Sequence, residues 1–218
     1  MDSSPRLQRS LTLPVFVAYG VGTMVGAGYY ALLGEVAGRA GMATPIAFLI
    51  SGVVAALSAV SFAALSARYP QSAGEAQYVR DGLGVRWLAP IVGWLVIATG
   101  VVSAAALANA FARFLGDLAP VPHNVGVAGL VIALGGVAAW GVRASTWLAV
   151  SVTIVELGGL VWVLAVTGGH LVELPARWPE LAADMNGAAG AGLLAAAFLS
   201  FYAFVGFEDM VNLAEEVK

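Results

Sequence analysis

Two glycine-interrupted stretches carry the residues of this 218-residue sequence whose types and spacing could do chemistry: YGVGTMVGAGYY (19–30) and FYAFVGFEDMVNLAEEVK (201–218). Glycine in a helix interior costs about 1 kcal/mol against alanine. Gly20, Gly22, Gly26 and Gly28 therefore need a reason. One is helix packing, since Gly22 and Gly26 make a GxxxG pair. The other is an unwound segment whose backbone amides and carbonyls are free to meet a polar ligand. In the second stretch Gly206 interrupts an aromatic-rich run, and Glu208 and Asp209 follow while the hydrophobic register continues. These acids either mark the end of the apolar run or face a cavity or protonation path, because a carboxylate at membrane depth is expensive. Glu156, in VTIVELGGL, poses the same choice between a structural partner and a coupling group. His123 and His170 read as satisfied interfacial histidines, and Asn109 and Ser103 as interhelical hydrogen bonds or cavity groups.

The elements that must position these residues follow from composition. The chain is 60% hydrophobic and 11% charged, where soluble domains carry about 25% charge. A soluble fold of this length could not cover its surface with so few charges, so lipid is the solvent implied. Continuous apolar blocks, instead of short alternating segments of about ten residues, select helices over a β-barrel. Spans are expected at roughly 11–34, 42–67, 87–115, 123–142, 146–169 and 188–212, about six in all. The segment Met1 to Arg9 is polar, and the apolar run after it reads as a retained span, not a signal peptide. A net charge of -3 without a basic run gives no sign of nucleic-acid binding. The absence of cysteine excludes disulfides and thiolate metal sites.

Positive residues favour the cytoplasmic side. With a cytoplasmic N-terminus, Arg6, Arg9, Arg68, Arg80, Arg86, Arg143 and Lys218 lie inside, and Arg39, Arg113 and Arg177 outside. Both termini are therefore expected in the cytoplasm. The 68–86 block becomes a cytoplasmic connection, and ELPARWPELAAD (173–184) a polar external loop. Trp87, Trp140, Trp147 and Trp178 suit interfacial anchoring.

Four motifs in order resemble those of amino-acid permeases of the amino acid–polyamine–organocation superfamily. They are GTMVGAGYYALLGEVAGRAG (22–41), ARYPQSAGEAQYVRDGLG (67–84), GVRAST (141–146) and FYAFVGFEDMVNLAEEVK (201–218). The resemblance implies an all-α integral membrane protein with a LeuT-like inverted-repeat fold. The first repeat (spans one to five) would be present, plus a sixth span broken like the first. It implies secondary transport of an amino acid or related amine across the cytoplasmic membrane by alternating access, without a cofactor. Backbone amides at Gly26, Ala27 and Gly28 would take the substrate carboxylate. Carbonyls of Met24, Tyr202 and Val205 would take its ammonium. Thr23, Phe204, Gly206 and Phe207, with Tyr202, would shape a pocket or gate. A half-helix N-terminus favours an anion and a C-terminal end a cation, in agreement with these roles.

Two departures stand out. Ala27 replaces a serine that many relatives carry, removing a hydroxyl but not the amide. Some proton-coupled relatives place a lysine in span five, where the nearest charge here is Glu156, so the coupling ion, H+ or Na+, stays open. Glu208 resembles an acidic position that some relatives use as a proton-sensitive gate. The family needs about ten to twelve spans, so the chain reads as a single transmembrane domain truncated after span six. Its remaining spans would come from a second polypeptide or a continuing frame. The competing expectation is a non-transporting membrane subunit, or an inactive truncated fragment needing a partner polypeptide; the subunit is favoured if the span-one glycines form a continuous packed helix. An enzyme fares worse, with no HExxH, GxSxG or nucleophile–base pairing, and no filter sequence marks a channel.

Overall fold

A computed structural model describes residues 11–72, 74–173, 175–183 and 188–217. Arg6, Arg9 and Lys218, which enter the charge count, and Asp184, which bounds the external loop, lie outside the described residues. Among the described residues the regular elements are all helical, apart from a bridge between Leu11 and Val217. Its elements are α1 (Leu13–Val25), α2 (Ala27–Ala40), α3 (Thr44–Arg68), α4 (Gly74–Gln77), α5 (Leu88–Leu118), α6 (His123–Ala139), α7 (Val142–Thr167), α8 (Trp178–Ala183), α9 (Ala188–Phe201) and α10 (Phe207–Asn212). Short 3-10 turns follow α2, α7, α9 and α10, and a π-turn at Tyr78–Gly82 follows α4.

Four helical stretches among the described residues are long and apolar enough to cross a membrane: Leu13–Arg68, Leu88–Leu118, Ala144–His170 and Gly190–Asn212. The first has 56 residues and takes in both the first and second expected spans. It is not one rod. Tyr29 and Phe48 would stand about 28 Å apart on a straight helix, yet their ring centroids are 5.4 Å apart. The chain reverses at Gly41, whose φ of 54° ends α2. The fourth expected span corresponds to α6, a shorter apolar helix of 17 residues. The expected external loop contains a helix, α8, started by Trp178 and Pro179, where proline is tolerated in a first turn.

Large side chains point outward, the reverse of a soluble fold. Val60, Ile132, Val155 and Phe198 are 70%, 74%, 76% and 84% exposed. Small residues are buried instead, as expected where helices associate in lipid by close packing.

The chain divides into two compact units. One comprises Val17–Ser61 and Ala149–Phe207. Its core sets Val36 and Ala40 of α2, Ala43, and Ala47 of α3 against Leu193, Ala196 and Ala197 of α9. A Cβ at Gly192 would lie 2.6 Å from the Arg39 carbonyl oxygen, so only glycine lets α9 approach the end of α2 this closely. The Ser51 hydroxyl lies 2.7 Å from that of Ser200, and both reach the carbonyls of Ala47 and Ala197. In this way two buried polar groups are satisfied without a charge.

The other unit comprises Phe62–Leu148 with the flanking segments Met1–Phe16 and Glu208–Lys218. There α5 packs on α6, with Gly126 against Ala112. His123 Nε2 lies 2.9 Å from Asn109 Oδ1. Asn109 is therefore an interhelical partner and His123 a satisfied histidine, as is His170 in the unit containing Ala149–Phe207, where it meets Glu173 at 3.2 Å. In the unit of α5 and α6 the Leu11 amide donates to the Glu216 carbonyl at 3.0 Å. The Ser72 amide donates to Glu215 Oε2 at 3.4 Å.

Candidate substrate site at two helix breaks

Within the first-described unit, the helical run 17–40 is interrupted at Gly26, with φ -58° and ψ -154°. An ordinary side chain does not fit there: a Cβ at Gly26 would sit 2.6 Å from the Gly22 carbonyl oxygen. The two glycines of the GxxxG pair do different work. A Cβ at Gly22 would overlap Thr153 Oγ1 on α7, so Gly22 is the packing residue. Gly26 is the break. Both readings of the motif are thus realised, one at each glycine.

The second interruption is wider than the glycine alone suggested. Helix α9 ends at Phe201, Tyr202–Phe204 form a 3-10 turn, and Val205 is extended at ψ 131°. Gly206 has φ 140°, in the region L side chains avoid. A Cβ at Gly206 would lie 2.9 Å from the Thr23 carbonyl oxygen. The two breaks meet here. Thr23 Oγ1 lies 2.9 Å from the Gly20 carbonyl and 3.4 Å from that of Gly206. A Cβ at Gly28 would be 3.5 Å from the Tyr202 ring, which places the start of α2 beside the second break.

The backbone chemistry follows from helix ends. The first amides of a helix have no intrahelical partner, and at α2 these are the amides of Ala27 and Gly28. The Tyr29 amide already donates to the Gly26 carbonyl at 3.0 Å. At the other break the Val205 amide donates to the Tyr202 carbonyl at 3.2 Å, occupying one of that oxygen's two lone pairs.

Beside the breaks lies a cavity of about 1050 Å³. Met24 and Val25 form its α1 edge, Tyr29 its α2 edge, and Phe48 and Phe204 its aromatic wall. The centroids of Phe48 and Phe204 are 6.4 Å apart. No charged side chain lines the cavity among the described residues.

Of the expected site residues, the structure brings together Thr23, Met24, Gly26, Ala27, Gly28, Tyr202, Phe204, Val205 and Gly206. Phe207 opens α10 directly after the second break. Glu156 is half-buried on α7, three residues from Thr153, and does not line the cavity. Glu208 belongs to the other unit.

Sequence reasoning passed over Glu75, inside the 67–84 motif. Burial raises its carboxyl above the ordinary range, and the nearby carboxylates of Glu208 and Asp209 add to the shift. Its sequence signal is faint, a single acid between Gly74 and Ala76. At the end of the same segment, the Arg80 guanidinium bonded to Asp81 at 2.8 Å holds the Asp81 carboxyl below its usual range. A raised folded-state pKa means that the native state holds Glu75's proton more tightly than the unfolded chain does. The stability this contributes is present below the unfolded value, about pH 4.3, and is lost as pH rises through the raised value. Thermal unfolding in detergent from pH 4 upward is expected to show this decline, and Glu75→Gln to flatten it.

Two glycine breaks that abut beside an apolar cavity are an arrangement from which membrane transporters build binding sites. The chain belongs to the amino acid permease family, whose model matches residues 11–218. It is a membrane transport protein family, not an enzyme family. The chain is 33% identical to the vacuolar cationic amino acid transporter 2 of Arabidopsis thaliana, over 98% of this chain and 36% of that protein. It is 36% identical to an uncharacterized transporter of Mycobacterium tuberculosis, over 100% of this chain and 48% of that protein. Human cationic amino acid transporter 4 is 29% identical over 97% of this chain and 36% of its own length. The chain thus spans between about a third and a half of the length of these relatives. No solved structure gives a significant match.

Proposed function

We propose that the chain supplies the substrate-binding half of a secondary transporter that carries an amino acid or related amine across the cell membrane by alternating access. The observation that carries this reading is the meeting of the two breaks, Thr23 against Gly206 and Gly28 against Tyr202. The amides of Gly26, Ala27 and Gly28 receive the substrate carboxylate, for which a helix N-terminus is suited. The carbonyls of Met24, Tyr202 and Val205 receive the ammonium, and Thr23, Phe204, Gly206 and Phe207 form the pocket or its gate. Six membrane crossings, in a LeuT-like first repeat followed by a broken span six, account for the reversal at Gly41 and the interrupted Gly190–Asn212 stretch. Both termini lie in the cytoplasm in this scheme, supported by the distribution of arginines.

Glu156 and Glu208 are the carboxylates through which H+ or Na+ would couple to transport. The remaining spans come from further chain or from a second polypeptide, since the relatives are two to three times as long. Several relatives are cationic amino acid transporters, which makes a cationic amino acid the first substrate to try.

The test is uptake into proteoliposomes. The chain is co-reconstituted with the second half of the Mycobacterium tuberculosis relative, and labelled L-arginine and L-leucine are offered with and without a pH gradient. Saturable uptake of either amino acid that needs both halves is the expected result. Uptake no greater than in empty liposomes, with both halves inserted and folded, contradicts the reading.

A further inference from the structure

A second pocket, of about 430 Å³, lies in the other unit, at the segment joining α3 to α5. Its walls include Phe62, Tyr69 and Tyr78. Phe62 and Tyr78 meet edge to face at 6.4 Å between centroids, and Tyr69 lies 6.3 Å from Tyr78. Glu75 lines the same pocket, half-buried, and makes no ion pair among the described residues. Rings offer their negative faces to cations, the more strongly when desolvated, and a carboxylate beside them adds a full charge. One cation is already present. The Arg68 guanidinium stands 5.7 Å above the Tyr69 ring, on the rim of this pocket.

We propose that this aromatic pocket, closed by the Glu75 carboxylate, binds a small organic cation of the alkylammonium class, and that Arg68 competes for its Tyr69 face. Apolar ammonium groups suit it best. A strongly hydrated metal ion loses its water shell on entering and finds one carboxylate among the residues lining the pocket, whereas an alkylammonium buries its methyl groups against the rings. The inference is independent of the transport reading, because every residue named lies in a different unit from the two helix breaks.

The probe is tetramethylammonium chloride, titrated into the purified chain in phosphatidylglycerol nanodiscs. The readout is 19F NMR of 3-fluorotyrosine at the six tyrosines, assigned by single Tyr→Phe variants. Saturable shifts confined to Tyr69 and Tyr78, and not reproduced by sodium chloride, are expected. Glu75→Gln should weaken the midpoint about five-fold or more, while Arg68→Ala should tighten it by removing the resident cation. A pocket that is merely structural has no reason to bind more tightly after the loss of Arg68. Should Glu75→Gln fold poorly, the Arg68→Ala arm decides alone. In phosphatidylcholine discs, a weakened midpoint names the lipid headgroup as the natural source of the cation, and an unchanged one a free solute; both support the site. Absence of saturation, shifts equal to those with sodium chloride, or a midpoint unmoved by Arg68→Ala overturns it.

Discussion

Gly26→Ala is expected to lower the stability of the chain by about 1–3 kcal/mol, the usual cost of forcing an added methyl into filled space. The sign is what makes this substitution informative. In a continuous helix the same change gains about 1 kcal/mol, because alanine is the better helix former. In the structure the new Cβ would meet the Gly22 carbonyl oxygen at 2.6 Å. That oxygen belongs to the backbone of α1 and cannot swing away as a side chain could. Apparent melting temperature in detergent, followed by tryptophan fluorescence, checks the direction. A rise means that α1 and α2 form one helix and that the glycines serve packing alone. A fall supports the break, and Gly34→Ala is a suitable control, since a Cβ there meets nothing within 4 Å.

Gly206→Ala is expected to do more damage, through two costs acting together. At φ 140° any L side chain is strained, at about 1–3 kcal/mol for such backbone regions. The added Cβ also lands 2.9 Å from the Thr23 carbonyl oxygen. Relief requires either the 202–206 turn to rewind or α1 to withdraw, and each separates the two breaks. The expected outcome is a larger fall in melting temperature than for Gly26→Ala, and in the co-reconstituted transporter a loss of uptake beyond what reduced folding explains. Unimpaired uptake in a fully folded Gly206→Ala protein would mean that the contact between the breaks is dispensable.

The parts of this arrangement that could be read from the sequence are those where a residue type conflicts with its surroundings. Glycine is costly in a helix interior, so Gly26 required either close packing or an interruption and Gly206 suggested a break, and an interruption is found at each. The all-helical class followed from sparse charge and unbroken apolar runs. What escaped was set by tertiary contact. Tyr202, Ala203 and Phe204 carry no helix-breaking signal, yet the second interruption begins there because α9 yields to a 3-10 turn beside α2. The assignment of Gly22 to packing and Gly26 to breaking depends on Thr153, more than a hundred residues away. Nothing in the sequence marks Ser51 and Ser200 as partners, whose hydroxyls lie 2.7 Å apart. Glu75 was hidden for the opposite reason: carboxylates are common between spans, and only its burial sets it apart.

On the proposed reading, α2 begins inside a membrane span with its first amides open to a substrate carboxylate. Hydrogen exchange at Ala27 and Gly28, in the chain complemented by the second half of the relative, tests it most directly. Fast exchange is expected at these two amides, between protected segments in α1 and α2, with slowing when a transported amino acid is added. Protection at Ala27 and Gly28 equal to that of their helical neighbours, with no response to any amino acid, would contradict it.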